Sequence, residues 1–406
     1  YLKLLLMNPE LENLHTYPFE KLKKLLNNVD IKSKKSAISL AIGEPKHPTP
    51  KFIKDALESS LDDISIYPAT RGSKQLRITI VNWLCWRFNL PIKTLNEEKN
   101  ILPVNGTREA LFAIAQTIVN KKSIKPIVIL PNPFYQIYEG ATLLAGAEPY
   151  YLNCVEENNF IPDLSSIPNE IWRRCQLFYL CSPGNPSGAV IDFDFIKKLM
   201  GLSEKYNFII ASDECYSEIY KDEEQLPISL LEYANKLGNT EYKRCLIFHS
   251  LSKRSNVPGL RSGFVAGESK LIENFYRYRT YHGCAMPLHV QKASIAAWND
   301  ENHVKENREL YKIKFSKVCH ELNSVLTVTQ PSGSFYLWPK LPCSDIDFAR
   351  ELYKSENVEV LPGSYLSRDV YNINPGYKRV RIALVAEVNE CIEAARRIKE
   401  FIEKKY

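Results

Sequence analysis

The stretch CLIFHSLSKRSNVPGLR, residues 245–261, is the most informative part of this chain. Its apolar start predicts a buried strand, which is followed by small hydroxyl residues, one lysine (Lys253) and an arginine eight positions later (Arg261). A lysine amine at a strand end is a nucleophile when partly deprotonated, and Ser250 with Arg261 can hold a phosphate group. The alternative is a solvated Ser/Lys loop, because lone lysines usually lie in water.

Two further strands end in polar residues that suit the same chemistry. Residues 208–213 read FIIASD, and Tyr216 lies three positions after the terminal Asp213. An aspartate beside a pyridine nitrogen keeps that ring protonated, and a tyrosine hydroxyl can bond the ring's 3-oxygen. Asn185, in the Pro- and Gly-rich turn after the strand at 177–180, can reach the same oxygen. Together with the lysine, these residues predict a pyridoxal phosphate (PLP) site, although an Asp-Glu pair alone could simply end a strand.

The phosphate end of such a cofactor has its own candidate motif. Residues 101–108 read ILPVNGTR, which predicts a short strand, a glycine turn and the start of a helix. Such a turn points backbone N–H groups at an anion, so Thr107 and Arg108 are candidate phosphate ligands. Tyr135, after the apolar run at 127–130, can stack on the cofactor ring, whereas an ordinary core position is its alternative.

Strands and helical runs alternate between about residues 102 and 267. This order predicts an α/β fold with a mostly parallel sheet covered by helices on both faces. The candidate residues all fall at or just after strand ends, where open α/β sheets bind ligands.

The C-terminal part has a different pattern, with a helix at 307–322, a strand at 327–337 and an amphipathic helix at 387–405. With the residues before Pro50, it should form a smaller α+β domain. We therefore expect an N-terminal arm and part of the small domain at 1–50, a large PLP-binding domain at 51–295, and a small C-terminal domain at 296–406.

These motifs, from Ala41–Pro45 to Val380–Ala383, make the chain resemble the class I/II family of PLP-dependent aminotransferases, which have PLP-dependent transferase fold type I. The resemblance implies that Lys253 is the Schiff-base lysine and general base. It further implies that Asp213 is the partner of the pyridine nitrogen. The implied catalytic residues are then Lys253, Asp213 and Tyr216, with Asn185 and Tyr216 at the 3-oxygen.

The same resemblance assigns the remaining binding residues. Arg381 is similar to the family's arginine for the substrate α-carboxylate, a group that a bidentate guanidinium fits. Gly43 and Asn185 are expected at the substrate, and Tyr67 resembles a tyrosine that reaches the phosphate of the neighbouring subunit. The expected phosphate and ring contacts within one chain are Thr107, Arg108, Tyr135, Ser250, Ser252 and Arg261.

A narrower resemblance is carried by the front of the chain. Residues 7–22 and 39–50 are similar to the proteobacterial succinyldiaminopimelate aminotransferases. This implies amino transfer between L-glutamate, which becomes 2-oxoglutarate, and N-succinyl-2-amino-6-oxopimelate in lysine and diaminopimelate biosynthesis. The alternatives are an aspartate, aromatic or kynurenine-type aminotransferase, then a carbon–sulfur lyase, and last a non-catalytic binding module, against which the complete residue set argues.

Two groups of basic residues are candidates to bind the distal, succinylated arm of that substrate. Arg277 and Arg279 lie in the basic aromatic run at 275–283, and Lys46 with His47 follows the Gly-Glu-Pro segment. The alternative for the first group is a solvated helix face with both arginines outward, since charged runs usually contact water.

We expect a homodimer with shared active sites. Tyr67 carries this prediction, together with the stretch 281–287 that resembles a partner-facing segment of the family. The alternative is that Tyr67 is an ordinary core or surface tyrosine of its own chain.

Composition limits the other possibilities. The net charge of +6 is spread along the chain, so we expect no nucleic-acid partner. No apolar stretch reaches the roughly 20 residues needed to span a membrane, so we expect no membrane partner. The 10 cysteines contain no Cys-x-x-Cys pair, which favours reduced thiols and a cytoplasmic location. Residues 1–6, before Met7, are too few for a signal-peptide core.

Overall fold

A computed structural model of the chain describes residues 8–406, so the expectation about residues 1–6 lies outside the described part. Its largest sheet has seven strands, in the order β2-β8-β7-β6-β5-β3-β4, and two smaller sheets have the orders β11-β12-β9 and β1-β10. The strands are β1 (Ile38–Ser39), β2 (Ile101–Val104), β3 (Ile127–Asn132), β4 (Glu148–Asn153), β5 (Cys175–Cys181), β6 (Ile209–Asp213), β7 (Cys245–Ser250), β8 (Gly263–Gly267), β9 (Tyr336–Leu337), β10 (Val358–Glu359), β11 (Leu361–Pro362) and β12 (Val380–Ala383).

Helices cover both faces of the large sheet and build the rest of the chain. In the described residues they are α1 (Pro18–Leu26), α2 (Lys51–Glu58), α3 (Lys74–Arg87), α4 (Thr107–Ile118), α5 (Ile137–Leu144), α6 (Asn169–Arg174), α7 (Phe193–Tyr206), α8 (Leu230–Lys236), α9 (Leu251–Arg254), α10 (Ser269–His282), α11 (Leu288–Trp298), α12 (Asn302–Leu322), α13 (Asp345–Glu356) and α14 (Val388–Lys405).

The large sheet is parallel except at β8. This strand pairs antiparallel with both β7 and β2, so β2 runs in the same direction as the parallel strands. The carboxyl ends of β2, β3, β5, β6 and β7 therefore meet at one edge of the sheet, and the turns that follow them can build a single site.

Successive side chains of each strand point to opposite faces of this sheet, and both faces are buried. In β3, Ile127 and Ile129 belong to one hydrophobic cluster, with residues of α2, α3, α7, α8 and α11. Val128 and Leu130 point to a second cluster, which residues of α4, α5 and α10 complete. Burial on both faces explains the nearly continuous apolar strand sequences, and it confirms the predicted α/β fold with a mostly parallel sheet.

A third hydrophobic cluster lies apart from the large sheet. It joins Ile38 and Leu40 near the N-terminus to Phe315 of α12, Ile382 of β12 and Ile398 of α14. This smaller α+β unit therefore contains chain from both ends of the sequence. The predicted boundaries at 50 and 295 stay predictions, and α11 extends past 295 to carry Trp298 into the first cluster.

The strand predicted at 327–337 is much shorter in the structure, where only Tyr336–Leu337 pairs as β9. The reason lies in the backbone bonds just before it. The N–H of Gly333 donates to the carbonyl of Gly188, and the N–H of Ser334 donates to that of Ile219. This part of the chain is thus bonded to turns of the large unit instead of to a neighbouring strand.

Gly188 is a point where the two units touch closely. Its φ is +71°, and a Cβ there would lie 2.4 Å from the carbonyl oxygen of Gly333 and 2.5 Å from Cβ of Pro331. We predict that Gly188→Ala lowers the free energy of unfolding by about 2 kcal/mol or more, measured by urea denaturation. Gly201→Ala is the matched control, because nothing lies within 4 Å of its added Cβ in α7. An equal effect of both substitutions would contradict the close approach at Gly188.

Candidate active site

A cavity of about 650 Å³ opens at the carboxyl edge of the large sheet. The segment before α1, the loop after β1 and residues of β9 and β12 close its other sides. Thirteen residues were predicted to bind the cofactor or the α-carboxylate end of the substrate, and the structure brings twelve of them to the cavity wall: Gly43, Thr107, Arg108, Tyr135, Asn185, Asp213, Tyr216, Ser250, Ser252, Lys253, Arg261 and Arg381.

Lys253 lies on the single turn of α9, directly after β7. Its Nζ donates a hydrogen bond of 2.5 Å to the carbonyl of Gly43. Burial is the main cause that lowers the pKa of this amine to about 8; Arg381 and Arg261 act in the same direction, whereas Cys215 and Glu44 oppose it. The uncharged fraction of the amine near neutral pH is therefore larger than that of an ordinary lysine, and this uncharged form is the nucleophile and base.

Asp213 is buried at the end of β6. Its Oδ2 accepts a hydrogen bond of 2.7 Å from the Tyr138 hydroxyl, and its Oδ1 accepts one of 3.3 Å from the N–H of Cys215. Burial raises the pKa of the carboxyl, and these hydrogen bonds only partly oppose it. No ion pair with residues 8–406 compensates the charge. The carboxylate is therefore ready to pair with a ligand N–H that carries positive charge.

An anion cradle lies at the start of α4. Gly106, with φ +85°, precedes the helix, and no side chain caps the first turn. The Arg261 guanidinium lies over this glycine, since a Cβ would come 2.3 Å from its Nη2. Nearby, the Ser250 hydroxyl donates 2.8 Å to that of Ser252. Unused helix N–H groups, two hydroxyls and a guanidinium fit a phosphate.

Arg381 is almost fully buried on β12. Its Nη1 donates 3.0 Å to Oδ1 of Asn185, and its Nη2 donates 2.8 Å to the carbonyl of Ala41. The guanidinium carbon lies 4.4 Å from the ring centre of Tyr336, while the buried Nε has no hydrogen-bond partner in the described chain. These contacts fix the plane of the guanidinium and leave donors for a carboxylate.

The sequence did not single out several residues of this wall. The Tyr336 hydroxyl lies 3.0 Å from that of Tyr216, deep in the cavity, and Tyr17 and Phe19 line the side formed by the N-terminal segment. Tyr138, which bonds Asp213, lies within the motif that supplied Tyr135. The aromatic pattern after Gly333 was the one available signal for Tyr336.

The four candidates for the distal arm of the substrate lie outside the cavity of their own chain. Arg279 is neither solvated nor in the cavity: it is fully buried and pairs with Glu109. His47 is buried against Asn307, to which it bonds over 2.7 Å, while Lys46 and Arg277 are exposed. Within one chain Arg279 and His47 already have buried partners, and binding of the distal arm by these four residues stays a prediction.

The thirteenth residue, Tyr67, is also absent from this wall. Its side chain is 100% exposed, so it does not belong to the core of its own chain. Exposed apolar side chains surround it in sequence, namely Leu61, Ile64 and Ile66.

A buried lysine with a lowered pKa, an uncompensated buried carboxylate and an anion cradle at one sheet edge define an enzyme that binds a phosphorylated, ring-nitrogen-containing aldehyde cofactor. The family model "Aminotransferase class I and II" matches residues 35–398, and the chain belongs to this family. The protein is therefore a PLP-dependent aminotransferase, and the predicted cofactor and enzyme class are confirmed.

Solved structures and curated proteins agree with this family. An aminotransferase structure from Neisseria meningitidis is 50% identical, with a TM-score of 0.93, and the match covers 98% of this chain and 100% of that chain. Aminotransferase AspB from Helicobacter pylori is 36% identical, with a TM-score of 0.87 and coverages of 96% and 99%. The curated LL-diaminopimelate aminotransferase of Dehalococcoides mccartyi is 31% identical over 88% of this chain and 90% of that protein.

The site residues fit PLP. Asp213 offers the uncompensated carboxylate that a pyridine N–H needs, and the lowered pKa of Lys253 suits reaction with an aldehyde. The glycine turn at Gly106 offers the phosphate cradle, where an added Cβ would fill the space that the guanidinium of Arg261 needs. In the described residues, no helix is long and apolar enough to cross a membrane.

Asp213 allows a test that separates stability from function. We predict that Asp213→Asn raises the free energy of unfolding of the cofactor-free protein by roughly 1–3 kcal/mol at neutral pH, because it removes a buried unpaired charge. Since the folded state raises the pKa of this carboxyl, the gain should shrink as the pH falls through the folded pKa and vanish below the ordinary one.

The same variant should bind PLP more weakly and transaminate orders of magnitude more slowly. Urea denaturation, cofactor titration and steady-state rates measure the three effects. Exposed Asp30→Asn is the control and should change none of them. Normal PLP binding together with a loss of stability in Asp213→Asn would show that another residue faces the ring nitrogen.

Proposed function

We propose that this aminotransferase moves the amino group of L-glutamate to N-succinyl-2-amino-6-oxopimelate, a step of lysine and diaminopimelate biosynthesis. The observation that carries the proposal is the position of the N-terminal segments. Residues 7–22 and 39–50 carry the resemblance to succinyldiaminopimelate aminotransferases, and they supply Tyr17, Phe19 and Gly43 to the cavity wall.

The chain's own residues divide the work of transamination. When bound, PLP supplies an electrophilic aldehyde carbon and an electron-withdrawing ring. Lys253 Nζ would be the nucleophile toward that carbon, and as a free amine it would be the base that accepts the proton of the substrate Cα. Asp213 would hold the proton on the ring nitrogen, and Asn185 with Tyr216 would bond the 3-oxygen.

Substrate orientation depends on Arg381. Asn185 and the carbonyl of Ala41 fix the plane of its guanidinium. Two N–H groups can therefore bind the α-carboxylate with little further loss of side-chain entropy. The carbonyl of Gly43 accepts a hydrogen bond from the Lys253 amine when that amine is free. The guanidinium and the amine are thereby both positioned by the segment 41–43.

A second candidate acts on the same substrate skeleton without the succinyl group. The curated relatives named LL-diaminopimelate aminotransferases, at 31% identity in Dehalococcoides mccartyi and Aquifex aeolicus, favour it. The two candidates differ in one acyl group on the distal nitrogen, which adds a carboxylate and removes a positive charge. A site for the succinylated form should therefore reject the free amine.

An amino-acceptor screen decides between these functions. Purified protein is loaded with PLP and L-glutamate and offered N-succinyl-2-amino-6-oxopimelate, tetrahydrodipicolinate, oxaloacetate, aromatic keto acids or N-acetylglutamate semialdehyde. We expect the succinylated acceptor to give the highest kcat/KM. A preference for tetrahydrodipicolinate would support the second candidate, and a preference for oxaloacetate or an aromatic acid would support the aspartate, aromatic or kynurenine-type alternatives.

We further propose that the working unit is a cytoplasmic homodimer whose active sites are shared. The fully exposed Tyr67 supports this proposal. Together with the exposed side chains of Leu61, Ile64 and Ile66 it forms an apolar group that a partner chain would bury. The loop 61–65 contacts α11, and the exposed Tyr281 precedes the turn that leads into α11. The two segments predicted to face the partner therefore both adjoin α11, the first by contact and the second by chain order.

Complementation tests the shared sites. Tyr67→Ala and Lys253→Ala chains should each be poorly active alone, and their mixture should regain close to one working site per heterodimer after subunit exchange. The reason is that one of the two pockets receives both an intact lysine and an intact tyrosine.

The control for this experiment is a chain with both substitutions mixed with wild-type chain. In that heterodimer neither pocket is complete, so activity should fall to that of the wild-type homodimers that remain. Failure of the first mixture to recover activity, or failure of the second mixture to lose it, with exchange verified, would refute the shared-site proposal.

A further inference from the structure

We propose that His47 and Asn307 are positioning residues for Lys253, which hold the turn that carries this lysine through a chain of buried hydrogen bonds. The proposal rests on PLP-dependent transamination by this chain, and it does not depend on which keto acid is the acceptor. Both residues lie outside the cavity wall, so they act only through other groups.

The first link lies at the end of α9. This helix has only one turn, and its first carbonyl, that of Leu251, accepts a hydrogen bond from the N–H of Ser255. The carbonyls of its later residues have no N–H of the same helix to accept from. The carbonyl of Lys253 is instead bonded by Nδ2 of Asn307, over 3.3 Å. A side chain of α12 thus caps the turn at the lysine itself.

The second link fixes the orientation of that amide. Oδ1 of Asn307 lies 2.7 Å from Nδ1 of His47 and accepts 2.9 Å from Nδ2 of Asn256. With Asn256 as the donor, the oxygen of Asn307 accepts on this side and its Nδ2 points toward Lys253. His47 must then carry its proton on Nδ1 in order to donate.

The third link is a hydrogen bond at the side-chain end of the lysine. Nζ of Lys253 bonds the carbonyl of Gly43, four residues before His47 in the same segment. The segment 43–47 is therefore tied to the tip of the lysine directly and to its backbone through Asn307. The ring of His47 packs 4.8 Å from that of Tyr311, which keeps the segment against α12.

The surroundings of His47 favour its neutral form. Burial lowers the pKa of His47 and Lys314 lowers it too, against the hydrogen bond to Asn307 and the charge of Glu387, which raise it. The largest charge effects on Lys253 come from Cys215, Arg381, Glu44 and Arg261. Replacing His47 with another neutral residue therefore leaves the charge of the site unchanged.

The test compares His47→Leu, His47→Asn and Asn307→Asp in the PLP-loaded enzyme. His47→Leu removes the donor, His47→Asn keeps an N–H close to the Nδ1 position, and Asn307→Asp keeps the acceptor for His47 but loses the N–H toward Lys253. Glu306→Gln, an exposed neighbour on α12, is the matched control. Each variant is assayed for kcat and KM with L-glutamate and 2-oxoglutarate, for thermal stability, and for the pH midpoint at which the visible absorbance of lysine-bound cofactor changes.

We expect His47→Leu and Asn307→Asp to lower kcat roughly tenfold to a hundredfold with little change in KM, because Arg381 is untouched. Their absorbance midpoint should shift upward, since a loosened lysine admits water that favours the protonated form. His47→Asn should recover most of both effects. The double variant should be no worse than either single variant, because both break one chain of bonds.

An unchanged midpoint and kcat in His47→Leu would overturn the proposal. So would additive losses in the double variant, or a loss that follows thermal stability alone and that His47→Asn does not recover. If Asn307→Asp fails to fold, the two His47 variants decide. A wild-type enzyme that exchanges glutamate with 2-oxoglutarate but rejects the succinylated acceptor would refute the proposed substrate and leave this test intact.

Discussion

Burial of ionisable groups without full charge compensation is the constraint on which the site depends. Removal from water favours the neutral form of each group, so it lowers the pKa of Lys253 to about 8 and raises that of Asp213. The two shifts have opposite signs and serve opposite tasks. A neutral amine can attack a carbon, whereas a carboxylate that gains from a cationic partner selects a protonated ring nitrogen.

Glu218 shows how a buried charge elsewhere in the protein is compensated. Glu218 is fully buried, and burial alone would raise its pKa, but Arg87, Arg254 and Arg308 together hold the pKa below its usual value. Its carboxylate bonds Arg87 over 2.8 Å. Such compensated pairs are structural, because breaking one leaves a buried charge alone. The uncompensated Asp213 lowers the free energy of unfolding of the cofactor-free protein. Binding of a cofactor that pairs with Asp213 raises that free energy again.

The sequence contains local signals for the strands and turns of this arrangement. Apolar runs mark the strands, and a glycine such as Gly106 marks the turn where φ is +85°. Polar residues that follow these runs could therefore be predicted to share one edge. The position of Phe19 could not, and the aromatic pattern after Gly333 was only a weak signal for Tyr336, because both residues reach the cavity only when distant segments pack. Arg279 was misjudged for a related reason: its partner, Glu109, lies 170 residues away in the chain.

Cavity closure requires residues from both hydrophobic units, so the separation of the fold into a large sheet and a smaller α+β unit has a chemical consequence. Arg381 belongs to the small unit and bonds Asn185 of the large one, while Lys253 of the large unit bonds Gly43 near the N-terminus. Both bonds span the same cleft, and the donor belongs to the small unit in the first and to the large unit in the second. A rotation of the small unit would therefore displace the carboxylate-binding guanidinium and the segment at Gly43 together. The fold thereby couples substrate orientation to the position of the reactive amine, which independent loops on one sheet edge would not do.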